Sequence, residues 1–415
     1  MLKKDPYAAL RFPEFRYFIT VQFLFTIAIL MQEVAIGYQI YHITHDPISL
    51  GYIGLAEAIP YISLALFGGY FADKKDRKTI IIICYGGILL CSLALITVTH
   101  PNAGQYLAQN QQLLVVYFIL FCIGVARGFY GPSWSSLKPF LVPAQHYANS
   151  SSWSSQFWQT GMILGPIAGG FLYAYIGLTN TLIVAFLLFL LASLLFLNIK
   201  RKPIVSKNLN QGVFESLKEG IDFVWKNKMI FYAILLDMIS VLFGGVMAIL
   251  PIFAEDILHV GAEGFGIMRA APGVGAVLTM FATAYFPPTN QPWRNMLIAV
   301  AGFGFATLAF ATSTSFIFSL LMLFLTGAFD SVSVIIRQTI LQTMPPDNMR
   351  GRVNSVSGIF VSCSNELGAF ESGVAAKFMG TVPSVLFGGI MTLLTVTWLY
   401  LQSGDLFSMK IQQKN

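Results

Sequence analysis

The segment Gly68-Gly-Tyr-Phe-Ala-Asp73-Lys-Lys-Asp76-Arg-Lys78 joins two long apolar runs, residues 49–72 and 79–99. It places four bases and two carboxylates together in a chain of which only 11% of the residues are charged. A membrane span needs about 20 mostly apolar residues, so both flanking runs are long enough to cross a bilayer. The segment therefore indicates a charged turn between two membrane helices, and basic turns mark the cytoplasmic side.

The rest of the chain repeats this pattern of apolar runs and short polar turns. Of its 415 residues, 56% are hydrophobic, and a soluble domain with roughly 25% charged residues has a very different composition. A soluble protein cannot bury this much apolar surface, so lipid must be the solvent. The predicted spans are residues 15–43, 49–72, 79–99, 112–135, 149–175, 180–199, 228–255, 262–286, 294–312, 315–342, 353–378 and 381–402.

One longer connection divides these twelve spans into two groups of six. We predict an N-terminal bundle (1–199), a cytoplasmic linker (200–227) and a C-terminal bundle (228–415). Residues 124–143 overlay residues 327–346, with Gly124 on Gly327 and Pro143 on Pro346, which matches a parallel six-plus-six repeat. The fold class is therefore an all-α membrane protein with twelve transmembrane helices in two pseudo-symmetric bundles.

The linker contains a stretch with helical periodicity. Acidic and basic residues separate its apolar positions, which predicts an amphipathic helix lying on the membrane surface. The apolar positions are Phe214, Leu217, Ile221, Val224 and Trp225.

The distribution of basic residues sets the orientation. With the N-terminus inside, 21 of the 25 Lys and Arg residues fall in cytoplasmic segments, the other four fall within spans, and the outside loops carry none. This asymmetry predicts an even number of spans with both termini cytoplasmic, in a bacterial-type inner membrane. The bases of this chain of net charge +6 cluster at turns, which favours topology determinants over nucleic-acid binding.

The loop at 68–78 resembles the signature loop of the major facilitator superfamily, although Lys74 and Asp76 replace its usual Arg and Gly. Further stretches resemble the branch of macrolide-efflux proteins and the enterobactin exporter, among them Leu141-Val-Pro143 and Pro346-Asp-Asn-Met-Arg350-Gly-Arg352. The resemblance implies a gate latch in which Asp73 approaches the N-terminus of span eleven, where a helix dipole stabilises an anion. The candidate gating residues are Gly69, Asp73, Arg77, Lys78, Arg350 and Arg352. A role in topology alone is the alternative.

Charged residues inside predicted spans are the candidates for coupling or substrate binding, because such charges are costly and usually functional. They are Glu33, Arg127, Asp237, Asp330, Glu366 and Glu371. Arg127 and Asp330 coincide in the repeat overlay, so we expect them either to face each other as an ion pair or to take part in coupling. Glu57 is interpreted as lying at the outer interface. A structural bridge from Glu366 or Glu371 to Arg337 or Lys377 stays open.

Span five carries glycines at every fourth position, which predicts close helix packing on one face. The helix that we consider as the packing partner of this face is span eight. Pro166, within span five, removes one backbone hydrogen bond and permits a bend. The same pattern resembles proton-driven exporters of the superfamily. These residues are Gly161, Gly165, Pro166, Gly169 and Gly170.

The sequence shows no enzyme signature, metal-ligand spacing or phosphate loop, so we expect neither a cofactor nor a metal. The leading hypothesis is a monomeric secondary transporter that exports a small amphiphilic solute, such as a drug or siderophore, in exchange for protons or another coupling ion. An importer, a lysophospholipid flippase and a non-transporting membrane receptor are the alternatives. The expected partners are the solute, the coupling ion and membrane lipid, without nucleic acid.

Overall fold

A computed structural model describes residues 5–203, 213–286, 288, 290–346 and 349–408. In these ranges every regular element is a helix. The longer helices of the first half are α1 (Pro13–Thr44), α2 (Pro47–Lys74), α3 (Arg77–Thr99), α4 (Gln109–Leu137) and α5 (Tyr147–Phe196). The second half has α6 (Val213–Lys226), α7 (Lys228–Gly244), α8 (Leu250–Ile252), α9 (Gly261–Tyr285), α10 (Pro292–Ala311), α11 (Phe316–Thr343), α12 (Arg350–Met379) and α13 (Thr381–Gln402).

Each predicted span has a helical counterpart. Nine helices of the described ranges are long and apolar enough to cross a membrane, or ten if the pair that meets at a 102° bend before α7 is one span. The 50-residue α5 supplies two predicted spans, because Gly177 has φ 76° and interrupts the helix. A positive φ is readily adopted only by glycine. With 17 residues α7 is short, and α12 contains several charged residues.

Span seven departs from the predicted continuous helix over 228–255. It stops at Gly244 and resumes as α8, which continues as a π-helical turn at Phe253–Ile257. Successive glycines at 244 and 245 weaken a helix. Two side chains compensate for the interrupted backbone, since Arg269 donates to the Met247 carbonyl at 3.1 Å and Ser372 to the Gly245 carbonyl at 3.0 Å.

The chain divides into two compact units. The first comprises residues 1–43, 56–209 and 262–266, and the second 44–55, 210–261 and 267–415. The first unit has an aromatic core, in which the rings of Phe18 and Trp134 stack at 4.0 Å. In the second unit, the buried indole of Trp293 donates to Ser403 at 2.6 Å, which ties α10 to the end of α13.

The helix of the linker, α6, belongs to the second unit. Val224 is buried and packs in a core that includes Val353 and Val356 of α12. Gly220 lies against α12, where an added Cβ would be 3.1 Å from the Arg352 carbonyl, and Arg352 itself binds Glu219. The predicted amphipathic helix is present, with Val224 buried and Trp225 64% exposed, and its position on the membrane surface stays a prediction. The side chains of Phe214 and Leu217 lie outside the described residues.

Candidate functional site: charged side chains buried in each unit

The first unit contains a cluster of one base and two acids from three helices. Arg127 of α4 donates to Glu57 of α2 and lies 3.9 Å from Glu33 of α1. The Glu57 side chain is 7% exposed, whereas those of Arg127 and Glu33 are 32% and 22% exposed. The Arg127 guanidinium lies 5.7 Å from the ring centroid of Tyr61. Glu57 therefore anchors an arginine whose outer surface remains accessible beside an aromatic ring.

Glycines in α4 bring Arg127 up to Glu57. A Cβ at Gly124 would lie 2.7 Å from the ring of Pro60, and one at Gly128 would lie 3.1 Å from Leu64. These positions flank Arg127 on the side of α4 that faces α2. Small residues permit this close approach of two helices. The sequence signal for it is the spacing of Gly124 and Gly128, which bracket the arginine.

The glycines of α5 contact α1. An added Cβ would lie 2.9 Å from Thr26 at Gly161, from Leu30 at Gly165 and from Met31 at Gly169. The interpretation that span eight receives this face was wrong for these three positions. Only Gly170 of the stripe faces α9, where its added Cβ would lie 2.9 Å from Gly266. Pro166, inside α5, directs its carbonyl toward Gly266.

Polar bonds reinforce the packing of α1 on α5. Ser154 donates to Gln22 at 2.7 Å, and Tyr173 donates to Gln39 at 2.5 Å. These bonds lie at two levels of α1, on either side of the glycine contacts. Both glutamines of α1 therefore accept hydrogen bonds from side chains of α5.

The second unit contains a buried ion pair between α7 and α11. Arg337 binds Asp237, and the two side chains are 5% and 4% exposed. A small cavity adjoins the pair and is lined by Asp237 and Asp330 among others. Asp330 forms no ion pair with any residue that the structure describes. Arg337 therefore neutralises the charge of Asp237, whereas no base among the described residues neutralises the charge of Asp330.

Helix α12 places Glu366 and Glu371 on a helix that packs against α7, where a Cβ on Gly368 would lie 2.9 Å from the Val241 carbonyl. The bases considered as structural partners are engaged by other acids. Arg337 binds Asp237, and Lys377 lies 3.1 Å from Asp46. The structural bridge from either glutamate to Arg337 or Lys377 is therefore not the arrangement in the structure.

The structure gives one partner of Arg127 and the burial of Glu57. Arg127 binds Glu57, because α2 and α4 of one unit pack directly against each other. Its pairing with Asp330, which belongs to the other unit, stays a prediction. Glu57 is buried at 5% exposure, and its position relative to the outer membrane interface also stays a prediction.

The basic loop after α2 contacts the segment that follows α5, residues 197–203. Asp76 caps α3 by accepting from the Lys78 amide, and it lies 3.3 Å from Arg201. Lys78 donates to the Leu197 carbonyl at 2.8 Å, and the buried Arg77 donates to the Pro203 carbonyl at 3.2 Å. The bases therefore bind the chain that follows α5.

The proposed latch is only partly visible. The side chain of Asp73 lies outside the described residues, so its contact with span eleven stays a prediction. Gly69 has open space around it. Arg350 begins α12, and Arg352 binds Glu219 of α6. The last two gating candidates therefore lie where α6 meets α12.

A chain of long apolar helices with charged clusters inside both of its units defines a polytopic membrane protein. The sequence model of the Major Facilitator Superfamily matches residues 18–370, and the chain belongs to this family.

Relatives and solved structures cover nearly the whole chain. It is 24% identical to the enterobactin exporter EntS of Salmonella typhi over 95% of this chain and 93% of that protein. It is also 24% identical to EntS of Escherichia coli O1:K1, over 91% and 88%. A POT family transporter in complex with 5-aminolevulinic acid has a TM-score of 0.76 at 11% identity, covering 94% and 96% of the chains. The xylose transporter XylE from E. coli has a TM-score of 0.71 at 13% identity, covering 96% and 97%. These structures establish likeness of fold.

Proposed function

We propose that the chain is an exporter of a small amphiphilic organic solute of the siderophore type, driven by protons across a bacterial inner membrane. The observation that carries the proposal is the similarity to enterobactin exporters along 95% of the chain. The loop sequences at residues 141–143 and 346–352 resemble the same branch of the superfamily, which includes the enterobactin exporter. The proposed partners are the solute, protons and membrane lipid, and the proposed state is a monomer with both termini cytoplasmic.

Arg127 is the proposed contact for the solute. Guanidinium groups carry five donors, and the bond to Glu57 occupies only part of this set while holding the side chain in place. The ring of Tyr61 lies 5.7 Å from the guanidinium carbon. A cation beside an aromatic ring favours a solute that combines anionic oxygens with flat apolar groups. This chemistry fits an amphiphilic chelator better than a neutral sugar.

Proton coupling is proposed for the acids of the spans, with Glu366 and Glu371 as the candidates on α12. Glu371 forms no ion pair with the residues that the structure describes. The bases nearest in sequence, Lys377 and Arg337, bind Asp46 and Asp237. A carboxyl group in an apolar helix can bind and release a proton as its solvation changes.

Inside-out vesicles that contain the purified protein test the proposal. Uptake of a radiolabelled catecholate siderophore should require an acid lumen and should stop when a protonophore collapses the gradient. Arg127→Gln should reduce uptake about 10- to 100-fold, since a bond to a charged group contributes about 1.5–3 kcal/mol. Arg11→Gln is the matched control, because the Arg11 side chain is 77% exposed and pairs with Asp5 near the surface.

The alternatives predict other outcomes of the same assay. Uptake into right-side-out vesicles only would support an importer, and movement of labelled lysophospholipid without siderophore would support a flippase. Either result contradicts the exporter proposal, and equal uptake by Arg127→Gln and the unmodified protein contradicts Arg127 as the contact for the solute.

A further inference from the structure

A small cavity lies inside the second unit between α7, α10 and α11. Its polar lining consists of Asp237 and Ser240 of α7 and Asp330 and Ser333 of α11. Phe303 and Phe329 form part of its apolar wall. The space is large enough for about one water-sized sphere. A ligand of this cavity must therefore be very small.

The polar side chains follow helical spacing on both facing helices. Asp330, Ser333 and Arg337 stand at positions i, i+3 and i+7 of α11, and Asp237 and Ser240 stand at i and i+3 of α7. Residues at these intervals share one helix face. The Arg337–Asp237 ion pair joins the two faces. These five side chains therefore form one continuous polar strip between α7 and α11, called the seam below. The cavity is the unfilled space beside this strip.

The charges of the seam do not balance. It contains two carboxylates, Asp237 and Asp330, and one guanidinium, Arg337, which binds Asp237. Asp330 has no ion pair among the residues that the structure describes. An uncompensated negative charge among apolar helices is costly. A single positive charge at Asp330 would neutralise the seam.

Ser333 gives a second and independent indication of a ligand. It is 2% exposed, it lines the cavity, and its hydroxyl has no hydrogen-bond partner among the described residues. Buried polar groups nearly always have partners, so an orphaned hydroxyl needs an explanation. Ser240 differs, since its hydroxyl donates to the Leu236 carbonyl at 2.6 Å and its lone pairs remain for a ligand. A cation is the ligand that carboxylate and hydroxyl oxygens bind together.

We propose that this cavity binds one small monovalent cation, with the Asp330 carboxylate as its principal ligand and the hydroxyls of Ser333 and Ser240 as neutral oxygen ligands. A proton, as hydronium, and Na⁺ share this chemistry. The inference rests on the proposed function only in assigning the bound cation to coupling, because binding itself requires no transported solute.

Other charged groups near the seam come from defined helices. Asp237 and Arg337 lie on α7 and α11, and Glu366 and Glu371 lie on α12, which packs against α7. Helix α9 packs against α11, where Pro272 meets Gly327, and its Arg269 donates to the Met247 carbonyl at 3.1 Å. On α10 the only charged residue is Arg294, in its first turn, and α13 has none. The glutamates of α12 are therefore the competing site for a cation and must be tested alongside.

The test is thermal unfolding of the full-length protein in detergent, with NaCl or LiCl compared with choline chloride at constant ionic strength. Na⁺ should raise the unfolding temperature saturably, because an ion that binds the folded state stabilises it. Asp330→Asn should abolish the response. Ser333→Ala should raise the half-saturating Na⁺ concentration about tenfold, as expected for one lost ligand.

Ser331→Ala is the matched control, since Ser331 is equally buried but its hydroxyl donates to the Ala328 carbonyl at 2.9 Å. It should respond to Na⁺ as the unmodified protein does. If the unmodified protein ignores Na⁺ and Li⁺ but differs from Asp330→Asn in how pH affects its unfolding temperature, the cation is a proton. If Asp330→Asn fails to fold, the response of Ser333→Ala to Na⁺ and pH is compared with that of the unmodified protein instead.

Identical responses of the unmodified protein, Asp330→Asn and Ser333→Ala to Na⁺, Li⁺ and pH would overturn the site. Loss of the response in Glu371→Gln with retention in Asp330→Asn would also overturn it, by placing the cation on α12. The assay contains no solute, so either failure leaves the exporter proposal to the vesicle experiment. Conversely, a vesicle experiment without uptake leaves the cation site standing.

Discussion

At the scale of single residues, the Asp237–Arg337 pair shows why charges persist inside the apolar helices. Both side chains are at most 5% exposed, so water cannot solvate either charge. Such a pair contributes little beyond what apolar residues of similar volume would contribute, yet loss of one partner leaves the other charge buried and alone. The pair therefore fixes the register of α7 against α11 more than it adds stability.

We predict that Asp237→Asn lowers the free energy of unfolding by about 3–5 kcal/mol, because Arg337 then lacks its counter-charge. Unfolding in mixed detergent–SDS micelles, followed by circular dichroism, measures the change. Asp405→Asn is the control, since Asp405 pairs with Lys228 at 2.9 Å on the surface, where the two side chains are 59% and 44% exposed. An exposed pair contributes about 1 kcal/mol or less.

The double variant Asp237→Leu/Arg337→Met shows whether the loss of stability in Asp237→Asn comes from an unpaired buried charge or from altered packing. It should recover most of the stability that Asp237→Asn loses, because neither charge is then unpaired. A single variant as stable as the Asp405→Asn control would show that Arg337 reaches another acceptor and would contradict the prediction.

The sequence identified most of the buried charged positions but not their partners. Arg127 and Glu33 stand out because they interrupt apolar runs. That Arg127 binds Glu57 depends on α4 approaching α2 through Gly124 and Gly128. Periodicity along one helix does not report which neighbour a face meets, so the partner Glu57 was not predicted, and the pairing with Asp330 of the other unit stays a prediction. Asp237 and Asp330 were likewise selected as charges, while Ser333 gave no sequence signal because buried serines are common in these helices.

At the scale of helices, the packing of α5 on α1 depends on having no side chain at three positions. Gly161, Gly165 and Gly169 present bare backbone to Thr26, Leu30 and Met31. Between helices in lipid, close packing replaces the hydrophobic effect as the source of association. The spacing of the glycines was visible in the sequence, and the identity of the receiving helix was not.

We predict that Gly165→Ala destabilises the protein by about 1–3 kcal/mol, as expected for overpacking. Its new Cβ would lie 2.9 Å from the Leu30 Cβ and 3.2 Å from the Ile27 carbonyl, so α1 would have to move. The matched control is Gly86→Ala in α3, where a new Cβ meets nothing within 4 Å. That control should be neutral or stabilising by up to about 1 kcal/mol, from helix propensity.

Thermal unfolding of the two variants in the same detergent compares them directly. The expected order of unfolding temperatures is Gly86→Ala at or above the unmodified protein and Gly165→Ala below it. If both variants unfold at the same temperature, the contact of α5 with α1 tolerates a methyl group and the glycines are not required for packing.

At the scale of the whole molecule, the sequence predicted the helices better than their interruptions. Every predicted span matches a helix, because a run of about 20 apolar residues has few other structures available in lipid. The break at Gly244 was missed, since the apolar composition continues through it to Ala254. Its exposed carbonyls are satisfied by Arg269 and Ser372, which lie on other helices. Such compensation cannot be recognised from the local sequence.

The orientation in the membrane is the remaining prediction at this scale, and it rests on the absence of Lys and Arg from every predicted outside loop. Single cysteines at Asn102 and Gly404, both exposed, should react with a membrane-impermeant maleimide from opposite sides, with Gly404 cytoplasmic. The background must lack the native Cys84, Cys91, Cys122 and Cys363. Asn102 follows α3 and Gly404 follows α13, so an odd number of crossings separates them when α5 crosses twice and both α7 and α12 span the membrane, and loss of any one of these crossings would make the number even. Intact cells should label Asn102→Cys alone, and inside-out vesicles Gly404→Cys alone. Labelling of both positions from one side would mean that one of these three segments does not cross as predicted, and the twelve-span topology would have to be abandoned.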